Sequence, residues 1–139
     1  MQRYRNRISG PILDRIDLVV SLGVPTEDEL RRPPEFDTQL PARIAAARIR
    51  QRQRFGRAPG VHCNAQAGAE ERQERIRLRS EARSFLRRAL TRWDLSMRAH
   101  ERTIMVARSI ADLDGASDIN VQHVAEALQY RVDSGATRD

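Results

Sequence analysis

The sequence predicts a mainly α fold, a helical bundle preceded by a single β-strand. Three observations carry that expectation. Hydrophobic residues make up 40% of the chain but aromatic residues only 4%, a balance that suits a core of Leu, Ile, Val and Ala between helices rather than a sheet sandwich. Three stretches, ending near Trp93, Asp114 and Val132, place apolar residues at the three-and-four spacing of a helix. One stretch alone, residues 16 to 22, is β-branched and apolar enough for a buried strand.

The chain opens with a basic segment. Pro11 after Ser9 and Gly10 suits the first position of a short helical turn, and the strand over 16 to 22 is ended by Gly23-Val24-Pro25. One strand cannot satisfy its own backbone, so its neighbours are expected in a larger α/β domain of which residues 1–24 form the end. Residues 25–37 are polar, hold three of the six prolines and read as a linker or lid loop.

A helical domain is expected over 38–133. Its first helix starts between Thr38 and Pro41 and runs to about Arg54, with a narrow apolar face of Leu40, Ile44, Ala47 and Phe55. Arg43, Arg50 and Arg54 line one flank, and Arg48 and Arg52 another, so this helix should be weakly held by core contacts. It is a candidate basic arm for nucleic acid, with Arg43, Arg50 and Arg54 as the contacts, or a solvated helix; aromatic interleaving is limited to Phe55.

An irregular stretch from Gly56 to Gly68 follows, then a short charged helix over 69 to 78 with Ile76 and Leu78 inward. Ser80 is the expected cap of the next helix, whose inner residues are Ala82, Phe85, Leu86, Ala89, Leu90 and Trp93. Asp94-Leu95 breaks it. The central helix begins at Leu95-Ser96 and runs to about Asp114, with Met97, Ala99, Ile104, Val106, Ala107, Ile110, Ala111 and Leu113 in its apolar arc, Ser96 as cap and Gly115 as stop. Asn120 caps the last helix, with Val121, Val124, Ala125, Leu128 and Val132 inward, and the tail 134–139 should be disordered.

Charge and composition exclude several functions. The net charge is +6 and all 25 basic residues are arginine; without lysine, a phosphate-binding loop of the GxxxxGK[ST] type is impossible here. Residues 43–108 contain 17 arginines against 6 acids, a basic centre that points to a polyanionic partner or to a solvated helical surface. Cys63 is alone, and its neighbour His62 is poorly spaced to share a zinc with it, so no metal site is expected. Nothing else accompanies that pair to suggest a protease or transferase. No apolar run reaches membrane-spanning length and no signal-peptide core follows Met1, so no membrane partner and a cytoplasmic location are expected.

Arg98 falls in the first turn of the central helix, where a fixed cation opposes the helix dipole at a cost of a few tenths of a kcal/mol. A cation placed there favours a nearby anion. It is either an ordinary surface arginine or a phosphate sensor, and Arg102 lies one turn on along the same face.

Two long motifs then carry a resemblance. SGPILDRIDL from Ser9 to Leu18, and LSMRAHERTIMVARSIADL from Leu95 to Leu113 followed by HVAEALQYR from His123 to Arg131, resemble the carboxy-terminal part of magnesium-chelatase-like AAA+ ATPases of the ComM/YifB group. Asn64-Ala65 resembles that group's middle segment. The resemblance covers nearly the whole chain, from about Arg3 to Arg131. It implies the last strand of an AAA+ core followed by the helical lid, with Arg15 matching the arginine finger and Arg98 the sensor-2 residue. Arg15, near the end of a short helical turn, also has a purely structural reading in favouring the helix dipole. For Arg102 the match gives only position, and a salt bridge within the bundle is the alternative.

The resemblance further implies ATP and magnesium held by a longer parent, none held by this chain alone, and no ATP hydrolysis by this chain alone because no Walker motif lies in it. The implied partners are the rest of the AAA+ core, neighbouring subunits of a homo-hexameric ring and DNA, as in a branch-migration helicase-like motor. Two other readings stand beside it: an arginine-rich helical nucleic-acid-binding module with no nucleotide role, and the lid of a magnesium chelatase subunit.

Overall fold

The structure is a computed structural model that describes residues 15–56 and 58–132. The basic opening segment, the turn near Pro11, the inward side chain of Val132 and the tail 134–139 lie outside the described residues. Six α-helices are present among them: α1 (Glu27–Arg31), α2 (Leu40–Phe55), α3 (Ala69–Arg75), α4 (Ser80–Arg92), α5 (Met97–Leu113) and α6 (Val121–Val132). A 3-10 turn at Asn64–Gln66 sits between α2 and α3.

Helix α5 is the centre. It packs against α2 on one side and α6 on the other, and α4 packs against α6. Small residues make this close approach possible: Ala82 and Ala89 of α4, Ala99, Ala107 and Ala111 of α5 and Ala127 of α6 are all buried, with Phe55, Leu86, Ile110, Ile119, Val124 and Leu128 filling the remaining space. Burying each of those larger side chains contributes roughly 1.5–3 kcal/mol.

Both ends of α5 and the start of α6 are built as the sequence indicates. The Ser96 hydroxyl accepts from Ala99 N–H at 3.1 Å and caps α5. At the other end Gly115 has φ +74, the Ala116 N–H donates to Ala111 C=O at 2.8 Å and the Gly115 N–H to Asp112 C=O, a Schellman stop that a side chain at 115 would strain. Asp94, at φ 47, ends α4 in the same way with Leu95 N–H on Leu90 C=O. Asn120 caps α6 through its Oδ1 on His123 N–H, and the His123 Nδ1 accepts from Asn120 N–H in return, both at 3.1 Å. One parallel bridge, Leu78 with Ile119, ties the start of α4 to the α5–α6 connection.

Several expectations change. Residues 16–22 form no strand: among the described residues no second strand is there to ladder with, and the segment is held by Val19 N–H on Tyr130 C=O at 2.9 Å, with Leu18, Val20 and Leu22 exposed. The polar stretch 25–37 is not all loop, because Thr26 and Glu29 form a capping box that starts α1. Ser80 is the first helical residue of α4 rather than its cap, which is Arg79. Met97 and Val121, expected inward, are exposed, each as the first residue of its helix. Thr103, Arg108 and Asp112 take buried places on α5 that the apolar pattern did not assign. Finally, α2 is not weakly held: its arginines bind it to α5, as described next.

Candidate nucleotide-sensing site

Four of the predicted site arginines lie on or against α5. Arg98 is the second residue of the helix, exposed, and makes no ion pair with a carboxylate among the described residues. It therefore adds a guanidinium to the end of the helix where the backbone N–H groups already favour an anion. One turn on, the half-buried Arg102 is an ion-pair partner: its Nη1 donates to Asp17 Oδ2 at 3.1 Å. The second oxygen of Asp17, Oδ1, is buried without a hydrogen-bond partner among the described residues. Arg15, exposed in a turn two residues earlier, is thus carried on a segment pinned to α5 by Asp17 and to the end of α6 by Val19.

The three arginines expected to contact nucleic acid turn toward the protein. Arg43 pairs with Asp37 at 3.9 Å and Asp114 at 3.6 Å, and Arg50 Nη1 donates to Asp112 C=O at 3.0 Å. Arg54 enters the interior, where its Nη1 donates at 2.9 Å to both Asp112 Oδ2 and Asn64 Oδ1 and its Nη2 donates to Asp112 Oδ1. The flank expected to face solvent is the seam between α2 and α5.

Sequence reasoning missed the group at the heart of that seam. Asp112, fully buried, also receives Asn64 Nδ2 at 2.9 Å and Arg108 Nη2 at 3.0 Å. Arg108, 1% exposed, donates besides to the carbonyls of Ser117 at 2.7 Å and Ala116 at 2.6 Å. Asn64 Nδ2 reaches Ser109 Oγ as well, and Asn64 N–H reaches Gln51 Oε1. Burial pushes the Asp112 carboxyl up, but the hydrogen bonds from Arg54 and Asn64 and the charges of Arg108 and Arg54 outweigh it and hold it below the usual range. For Arg108 burial prevails and lowers its pKa, with Asp112 opposing. The available signal was the Arg108–Asp112 pair at i, i+4 within an otherwise apolar face.

Two clefts adjoin these groups. One of about 350 Å³ lies between α2 and the 3-10 turn, lined by Ile44, Gln51, Cys63, Asn64 and Ser109. The other, about 370 Å³, opens beside the first turns of α5, lined by Ile76, Leu78, Met97, His100 and Ile104 with Arg72 paired to Glu101 at its edge. Burial lowers the His100 pKa there, Glu101 opposing and Arg83 reinforcing. Among the described residues no three His, Cys, Asp or Glu side chains are grouped to hold a metal, and no helix is long and apolar enough to cross a membrane.

The sequence of this bundle, residues 35–131, matches the family of the magnesium chelatase subunit ChlI C-terminal domain. The chain belongs to that family. Within it, YifB of Escherichia coli strain K12 is 38% identical over 132 residues, covering 93% of this chain and 25% of YifB. The competence protein ComM of Haemophilus influenzae is 35% identical over 134 residues, covering 94% of this chain and 25% of ComM. An uncharacterized protein of Mycobacterium bovis is 37% identical over 138 residues. The chain spans about a quarter of the length of these relatives. At 93–94% coverage the similarity takes in much of the stretch before residue 35 as well.

Proposed function

We propose that this domain is the nucleotide-reading lid of an ATP-driven ring motor that acts on DNA. The observation that carries the reading is Arg98: an exposed guanidinium in the first turn of the central helix, with no carboxylate partner among the described residues. A buried, multiply satisfied Arg98 would have removed the physical basis for a sensor. Such a group fits a phosphate, because it stays charged, forks its donors and adds to the positive end of α5.

In that role Arg98 binds phosphate oxygens and stabilises the charge that spreads over them during phosphoryl transfer, while covalent chemistry stays with the AAA+ core. Magnesium-bound ATP, held by that core, supplies the energy of the motor. Arg15 serves a neighbouring subunit as the finger, on a segment whose position relative to α5 is set by the Arg102–Asp17 pair. Arg102 is accordingly a positioning residue. A homo-hexameric ring, a cytoplasmic location and a DNA track complete the proposal; the DNA element draws on the arginine-rich centre. The lid of a magnesium chelatase subunit is the second reading, drawn from the family name.

The test uses the longer protein. Arg98→Ala and Arg15→Ala should each lower ATP turnover at least a hundredfold, the scale at which removal of one charge-stabilising donor acts. Turnover within a few-fold of wild type in both variants would rule the sensor and finger roles out.

A further inference from the structure

Among the described residues the arginines of the helices differ in whether a carboxylate engages them. Arg31, Arg43, Arg54, Arg72, Arg75, Arg102 and Arg108 are engaged by carboxylates, and Arg50 by a carbonyl. On helix α4, Arg83, Arg87, Arg88 and Arg92 are all exposed, and none pairs with a carboxylate among the described residues. We infer that the solvent face of α4 is a docking surface for the phosphate backbone of a nucleic-acid duplex.

The geometry follows from the helix period. Ala82, Phe85, Leu86, Ala89 and Leu90 turn inward, so Arg83 and Arg87 stand four residues apart on one shoulder of the exposed face and Arg88 and Arg92 four apart on the other. Between the shoulders run the short polar side chains of Ser84 and Thr91, both exposed. From Arg83 to Arg92 the helix rises about 14 Å at 1.5 Å per residue. A duplex presents roughly one charge per 1.7 Å, so about eight phosphates pass along that length. Long cations flanking a low polar strip fit a charged ridge laid along the helix. Glu81 is the only acid on α4.

The partner class comes from what the face lacks. No large apolar residue between 79 and 92 is exposed, so there is nothing to insert into a lipid surface. Phe85 and Trp93 pack against the core rather than standing out, so no ring on this face is offered for base stacking, as single-strand binding requires. Phosphate contact without base contact is the backbone-positioning mode of duplex binding. This surface deepens the DNA element of the reading above and rests on it, but it involves neither Arg98 nor nucleotide.

The experiment measures binding of this chain, without nucleotide, to a fluorescent 20-base-pair duplex, to the corresponding single strand, and to phosphatidylserine-containing vesicles. Wild type should prefer the duplex, with log affinity falling against log salt at a slope near −3.6 for four contacts, about a hundredfold loss between 50 and 200 mM. The variant R83Q/R87Q/R88Q/R92Q should lose on the order of a hundredfold at low salt and most of that slope, while a charge-matched control, R31Q/R32Q/R48Q/R52Q, stays within a few-fold of wild type. Thermal melting by circular dichroism checks that each variant is folded. If the fourfold variant does not fold, R83Q/R87Q and R88Q/R92Q separately should each lower the slope by about two. Equal losses in patch and control variants, an unaffected patch variant, or stronger patch-dependent binding to vesicles or single strand would overturn the inference. Duplex binding that survives loss of the patch leaves a DNA track standing and removes only this surface.

Discussion

Arg54 on α2 and Asp112 on α5, 58 residues apart in the chain, meet inside the bundle in a two-pronged ion pair, with Arg108 bound to the same carboxylate. Two guanidiniums thus share one acid, and the surplus charge is distributed to Asn64 Oδ1 and to the carbonyls of Ser117 and Ala116. The arrangement makes the basic helix a structural part of the domain. It also makes Asp112 the residue on which α2, α5 and the 3-10 turn depend together.

Removing that acid leaves two cations uncompensated in the interior. Asp112→Ala should therefore destabilise the domain by about 3–5 kcal/mol, read by urea denaturation. Arg54→Ala should cost less, because Asp112 keeps Arg108 and Asn64. A loss below about 1 kcal/mol for Asp112→Ala would show that the network contributes little.

The same pair sets an acid limit. The Asp112 carboxyl is held below its ordinary value of 3.8, so the stability it contributes is present above that unfolded-state value and is lost as pH falls through the lower folded-state value. Unfolding free energy should decline from near pH 4 downward. Arg54→Ala removes the largest of the favourable partners and should move the acid midpoint upward, followed by far-ultraviolet circular dichroism. An unchanged midpoint contradicts the assignment.

Arg98→Ala should separate function from stability. The side chain is exposed and unpaired among the described residues, so the melting temperature should hold within the equivalent of about 0.5 kcal/mol. A rise of a few tenths is expected, because a cation leaves the first turn of α5. A large destabilisation would mean that Arg98 serves the bundle rather than a ligand.

The Arg102–Asp17 pair is about one-third exposed on each side, which limits its contribution to global stability to below about 1 kcal/mol. Its effect should be local. Arg102→Ala or Asp17→Ala should speed hydrogen exchange at the Val19 amide, which is bonded to Tyr130 C=O, while core amides of α5 are unaffected. The charge-swapped pair, Asp17→Arg with Arg102→Asp, should restore protection; failure of both effects would show that Asp17 does not hold the segment.

The spans of α2, α4, α5 and α6 were legible because apolar spacing, Ser96, Gly115 and Asn120 are local signals. The turn at α1 was legible too, in the Thr26-to-Glu29 spacing, but three prolines and a run of charge in 25–37 masked it. Met97 and Val121 fit the apolar period yet lie at helix starts, where periodicity does not tell how far the neighbouring helix extends. The position of Arg98 was readable in the same local way, from a cap two residues before it.

By itself the sequence determined where α2, α4, α5 and α6 lie and that an arginine stands at the start of the central helix, since each depends on contacts within about four residues. Only the tertiary structure decided which arginines are engaged and which face solvent. Arg54 and Arg87 are alike in composition and in helical setting. One meets Asp112 across the seam and the other meets water, and that difference arises from the packing of α2 on α5, to which no local pattern refers.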